Sequence, residues 1–156
     1  MRFERTSDIS IIRSVMAHPR VYPGLHDDNA PPAEEWMPTI HDLLSYMLVI
    51  DEGNEVIGLY MVAAHSSILW ELHDCFLPQA WGRKARRAAR EFRDWIWRES
   101  RCQVLIGYIV ESNVAALNYA LASGMEIWGK IPESFLKDGR MQNQYLVGIK
   151  RPREGA

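Results

Sequence analysis

Residues 70–100, WELHDCFLPQAWGRKARRAAREFRDWIWRES, constrain the fold more than any other stretch of the 156-residue chain. The run up to Leu77 reads as a strand, Pro78–Gly82 as a tight turn, and the remainder as a long helix. Ala85, Ala88, Ala89, Phe92, Trp95 and Ile96 recur at helical spacing and form one apolar stripe. Small residues at its start let the helix sit close to a sheet, and the aromatics further on fill the space beneath. The opposite face carries Arg83, Lys84, Arg86, Arg87, Arg90 and Arg93. A helix start already presents unpaired N–H groups and a partial positive charge, so cations there destabilise the helix when nothing is bound. An anion, most simply a phosphate, relieves that conflict. Of the 18 Lys and Arg residues, eight lie between Arg83 and Arg101, and only Glu91, Asp94 and Glu99 share that span to pair with them.

The charge is therefore local. A net charge of −2 argues against wholesale nucleic-acid binding, and no aromatic residues interleave with the basic face. With 47% apolar residues the chain can bury a core as a single domain over residues 1–150, followed by a tail, 151–156, expected to be disordered. Cys75 and Cys102 sit in apolar runs without other ligands at metal spacing; they read as buried thiols of a reducing compartment, and no metal is expected. No apolar run reaches 18 residues and the start carries no signal-like segment, which predicts a cytoplasmic protein without membrane contact.

Along the chain, Met1–Thr6 reads as a strand, and Ser7 or Asp8 can cap a helix over Ile9–Ala17 that His18-Pro19 ends. Tyr22–Pro32 reads as a loop. Glu34–Ser45 reads as a second helix with Trp36, Ile40, Leu43 and Leu44 on its apolar face. Tyr46–Ile50 and Val56–Ala64 form a hairpin around Asp51–Asn54, Ile68–Leu77 is the fourth strand, and Val104–Val110 is an apolar fifth. A helix over Asn113–Ser123 closes at Gly124, and the strands Met125–Ile131 and Asn143–Lys150 flank a polar loop through Lys137-Asp138-Gly139. The order predicts an α/β (α+β) domain with helices covering a central sheet.

This order resembles the GNAT fold of acetyl-CoA-dependent N-acyltransferases over essentially the whole chain. Pro78-Gln79-Ala80-Trp81-Gly82-Arg83 is similar to the P-x-x-W-G-[KR] that precedes the family's pyrophosphate loop. Asn113-Val114-Ala115-Ala116 with Gly124-Met125 is similar to its N-x-x-A…G-F run, with the Asn-to-Gly spacing kept. The resemblance implies a mixed, mostly antiparallel sheet whose fourth and fifth strands splay apart. It further implies an acetyl-CoA site at Phe76, Leu77, Trp81, Gly82, Arg83, Lys84, Ala85, Arg86, Arg87, Asn113 and Ala116. Two departures stand out. The loop's later small positions are Lys84 and Arg86 here, which could pair with the pyrophosphate or occupy its place. The family's frequent Tyr, seven residues after the Asn, is Ala120, with Tyr119 about 100° away around the helix.

Acyl transfer to an amine needs a base for the ammonium proton and a donor for the departing thiolate. His73 is the candidate base and Glu71 its neighbour on the same face of the fourth strand, while Tyr119 is the candidate acid. Each has a plainer reading: a solvated sheet edge for the first two, packing under the sheet for Tyr119. Ser112 reads as a helix cap, and the acidic loop residues Asp27 and Asp28, beside His26, would border an acceptor site. Trp36 and Trp81 are placed to wall a pocket. The expected activity is transfer of an acetyl group to a primary amine of a small molecule or a protein, with a homodimer open. The alternative is an inactive GNAT-fold binding or assembly protein, for example phage-associated, associating through Trp97 and the strand near Tyr145.

Overall fold

The computed structural model describes residues 1–153 and 155. Seven strands form one sheet: β1 (Arg2–Thr6), β2 (Leu44–Ile50), β3 (Val56–Ala64), β4 (Leu69–Phe76), β5 (Val104–Val110), β6 (Glu126–Lys137) and β7 (Arg140–Lys150). Their order is β1-β2-β3-β4-β5-β7-β6, antiparallel throughout except between β4 and β5, which run parallel. The helices are α1 (Ile9–Met16), α2 (Tyr22–Leu25), α3 (Arg83–Glu99) and α4 (Val114–Ala122). Asp8 caps α1 through its carboxylate, which accepts from Ile11 N at 3.2 Å.

Alternation along the strands divides the core in two. On one face Tyr60, Val62 and Phe76 meet Ala85, Ala88, Phe92 and Ile96 of α3. The Phe92 ring stacks on Tyr60 at 4.1 Å, which fixes how closely the small-residue start of α3 lies on the sheet. On the other face Tyr46, Leu48, Leu59 and Cys75 pack under Ile12, Val15 and Met16 of α1. The parallel pair is short: only Leu69, Trp70 and Glu71 face Val104, Leu105 and Ile106 before the strands part. The splayed fourth and fifth strands are thus present.

Four expectations need correction. Glu34–Ser45 is not a helix; the segment is irregular and already in β2 from Leu44. Pro38 lacks a helix-bonding N–H, and the Arg13 guanidinium takes the carbonyls of Ala33, Glu34 and Trp36 that a helix would have used internally. The loop at Tyr22 contains one helical turn, Tyr22–Leu25. The last hairpin is longer than expected, because Pro132 sits on the outermost strand, where a missing N–H costs no ladder bond, and Glu133 absorbs a bulge at φ 45°. Finally, Trp97 is buried in the core and Tyr145 is on a strand paired on both sides, so neither offers the association surface the alternative reading needed. The backbone N–H of Arg151 still donates to Gln103 O at 2.7 Å. The tail expectation at Glu154 and Ala156 lies outside the described residues.

Candidate active site

The gap between β4 and β5 is a consequence of strand geometry. Leu77 N donates to Ile57 O at 2.9 Å, so in the antiparallel register the odd-numbered residues of β4 bond to β3. The backbone groups of Leu72, Asp74 and Phe76 therefore turn toward β5. A Cβ on Gly107 would lie 3.4 Å from Leu72 O, which marks where the strands are still close. Beyond that point Asp74 and Phe76 face an opening. Phe76 O accepts from the Trp81 indole N–H at 2.8 Å, leaving the Phe76 N–H on the gap side. Leu77 offers little, since its C=O accepts from Ala80 N at 2.9 Å.

The helix start lies beside this opening. Gly82, at φ 88°, is the N-cap of α3, with no capping side chain and no acidic residue in the first turn. Arg86 N donates to Gly82 O, leaving the N–H groups of Arg83, Lys84 and Ala85 without helical partners. Lys84 is turned away: its ammonium lies 2.9 Å from Asp51 of the β2–β3 turn. Arg87 pairs with Glu91 and with Glu52 of the same turn. Arg83, Arg86 and Arg90 have no ion-pair partner among the described residues. The Arg20 guanidinium stands over the Trp81 ring at 4.8 Å. Asn113 caps α4, its Oδ1 accepting from Ala116 N at 3.1 Å, and no described residue accepts from its Nδ2. Ser112 instead bonds Gln142.

Glu71 and His73 do meet. His73 Nε2 is 2.6 Å from Glu71 Oε1, and a residue the sequence reading passed over, His65, places its Nε2 2.7 Å from Glu71 Oε2. The hydrogen bond to His73 is the main reason the Glu71 carboxyl is held below the usual carboxylate range, with His65 adding to it against the cost of burial. His65 lies in the β3–β4 turn, six residues before Glu71, where no periodicity connects the two. His73 opens into a cavity of about 330 Å³ between the sheet and the segment that covers it, with Trp36 among its walls. The cover is pinned by the last hairpin. Lys137 Nζ donates to the carbonyls of Pro23 and His26 at 2.6 and 3.1 Å, and the Asp28 carboxylate accepts from the N–H groups of Asp138 and Gly139. A larger hollow of about 590 Å³ beside Trp128 and Ile149 shares no lining residue with this cavity.

Tyr119 is on the other face of the sheet. Its hydroxyl lies 3.4 Å from Tyr60 Oη and 3.4 Å from Ala85 O in the first turn of α3. Burial, with the nearby Asp74 carboxylate, pushes the Tyr119 phenol well above its ordinary range, so it stays protonated. Asp74 was not singled out in the sequence. It borders the open gap, yet loss of hydration on its protein side raises its carboxyl, while the Tyr119 hydroxyl and His73 pull it back. The imidazole pair and the phenol cluster thus flank β4 from opposite faces, and the Asp74 carboxyl feels both.

A sheet parted at a parallel pair, next to an uncapped cationic helix start, defines an acetyltransferase fold. The chain belongs to the GNAT acetyltransferases: the model of the Acetyltransferase (GNAT) domain matches residues 3–126. No curated protein matches it significantly in sequence. Among solved structures, spermidine N-acetyltransferase from Vibrio cholerae in complex with CoA and spermine superposes with a TM-score of 0.78 at 16% identity, over 96% of this chain and 94% of that one. A protein assigned as a phosphinothricin N-acetyltransferase gives 0.74 at 14% identity, covering 97% and 99%. A chimera of the Vibrio cholerae enzyme with a human counterpart gives 0.64 at 20% identity, over 70% of each chain. No helix among the described residues is long and apolar enough to cross a membrane.

Proposed function

We propose that the protein transfers the acetyl group of acetyl-CoA, its co-substrate, to a primary amine by direct attack. The observation that carries this reading is the β4–β5 gap with the partnerless N–H groups of Arg83, Lys84 and Ala85 at its end. The pyrophosphate would accept from those N–H groups, with Arg83 and Arg86 as free cations nearby. The pantetheine arm would lie along the Asp74 and Phe76 backbone as an added strand, within reach of the Asn113 amide. The thioester would then stand between the two faces of β4.

The amine nitrogen attacks the thioester carbonyl, and its proton passes to His73, whose imidazole Glu71 orients. As the carbon–sulfur bond breaks, Tyr119 gives its proton to the thiolate. No nucleophile for a covalent intermediate is needed, and burial raises the Cys75 thiol far out of reactive range. Calorimetric titration with acetyl-CoA, paired with detection of free thiol on adding amines, tests the reading. Heat on titration and amine-dependent thiol release are expected; their joint absence refutes it.

A further inference from the structure

The Glu71 carboxylate is held at both oxygens, and the second holder has no part in the acyl-transfer step as described so far. His73 Nε2 lies 2.6 Å from Oε1 and His65 Nε2 2.7 Å from Oε2. No other described residue bonds Oε2. Across the ladders Glu71 is paired with Ala63 and Ile106, and the next residue of β3 on the same face is Met61; none of these side chains carries an N–H or O–H. His65 reaches in from the β3–β4 turn, whose backbone is fixed by its own bonds. His65 N donates to Leu69 O at 3.0 Å, and Ser66 Oγ accepts from Ile68 N and Leu69 N. The Glu71 side chain is only 15% exposed, whereas that of His65 is 47% exposed, so His65 can be replaced without disturbing the core.

The donor count then fixes the tautomers. The Glu71 carboxyl is held below its ordinary range, first by the His73 bond and then by the His65 bond against the cost of burial, so near pH 7 it only accepts. Each imidazole facing it must donate from Nε2, and a neutral His73 keeps its lone pair on Nδ1. That nitrogen has no hydrogen-bond partner among the described residues. It is not enclosed either, since His26 Nε2 is the one buried side-chain polar atom without a partner among them. His73 lines the cavity and His65 does not, which separates the two imidazoles in role. A carboxylate tied at one oxygen can swing about its last torsion; tied at both, its plane is set, and with it the His73 ring.

Resting on the acyl-transfer reading, we propose that His65 is a positioning residue: its Nε2–H anchors Glu71 Oε2, so that Oε1 holds His73 in the Nε2–H tautomer and Nδ1 takes the proton of the attacking amine. The amine gives up one proton to Nδ1 as its nitrogen bonds the thioester carbon, and His73 becomes an imidazolium protonated on both nitrogens. The Nδ1 proton then leaves to solvent, which restores the starting tautomer. Without His65 the carboxylate can turn, and the ring populates the Nδ1–H form, which has no lone pair at Nδ1 to offer.

The first readout needs no acceptor: long-range nitrogen–proton correlation spectra of the imidazoles at about pH 8, above the ordinary imidazole range. Wild type should show His73 protonated on Nε2 and bare on Nδ1. His65→Leu should give a mixture of His73 tautomers, and His65→Gln, whose amide N–H can stand where Nε2 stood, should restore the single form. The second readout is thiol release from acetyl-CoA with spermidine as the probe amine. His65→Leu should lower kcat roughly fivefold with KM for both substrates within about twofold, and His65→Gln should recover most of the loss. An Nδ1–H tautomer in wild type overturns the inference, as does a His65→Leu variant with unchanged spectra or unchanged kcat. If spermidine is not acetylated, the spectra alone decide. If acetyl-CoA is neither bound nor consumed, the acyl-transfer reading falls and takes the catalytic part of the inference with it, while the spectra still judge whether His65 sets the His73 tautomer.

Discussion

Replacing Glu71 by Gln is the sharpest perturbation of the proposed base. The carboxylate accepts from His65 and His73 at 2.7 and 2.6 Å, and Gln preserves the shape while removing the charge. A hydrogen bond to a charged group contributes about 1.5–3 kcal/mol net and a neutral one about 0.5–1.5. The difference, about 1–1.5 kcal/mol, corresponds to roughly a tenfold fall in kcat/KM if the bond orients His73 in the transition state. Thiol release at saturating acetyl-CoA measures it, and a cycle with His73→Asn separates the roles: the double variant should be no slower than His73→Asn alone. Stability supplies a second readout. A carboxyl whose folded pKa is depressed adds stability above its unfolded value, near 4.3, and loses it as pH falls through the lower folded value. The difference in Tm between wild type and Glu71→Gln should therefore be widest above about pH 5 and narrow toward pH 3. A variant within twofold of wild type in kcat/KM refutes the orienting role.

Three further outcomes follow from the site. Arg86→Ala should weaken acetyl-CoA binding about fivefold at low salt and less at 0.5 M, whereas Lys84→Ala, whose ammonium is engaged by Asp51, should change it less than twofold; calorimetry at two salt concentrations decides. Tyr119→Phe should lower kcat by roughly 10–100-fold with acetyl-CoA affinity retained, and an unaltered kcat would return Tyr119 to a packing role. Cys75 and Cys102 are both buried, the Cys102 thiol pushed up to about 11, so a chromogenic disulfide should label neither in the native protein and both in denaturant.

What could be read from the chain was local. The stripe from Ala85 to Ile96, the hairpin of β2 and β3 around Asp51–Asn54, the apolar run of β5 and the Gly124 stop of α4 each depend on neighbours within a few residues, and each is found in place. What could not be read was set by distant partners. The false helix at Glu34 had the right apolar spacing, but Arg13, twenty residues upstream, outcompetes helical bonding for its carbonyls. The cations of α3 looked short of carboxylates because Asp51 and Glu52 reach them from across the sheet. Of the candidate catalytic residues, Glu71 and His73 share a face by simple alternation, while the meeting of Tyr119 with Tyr60 and Asp74 depends on how α4 docks.

The depth of the sheet explains why the proposed acid and base can coexist. An imidazole pair and a phenol in one small pocket would exchange protons directly. Here β4 separates them: His73 looks into the cavity under α1, and Tyr119 lies beneath the start of α3. A molecule threading the gap at Asp74 would touch both. On this reading the short β4–β5 ladder, three residues long, is the feature that makes proton uptake on one face and proton delivery on the other parts of a single event. A ladder extended through Asp74 and Phe76 would leave each group intact and the protein inactive.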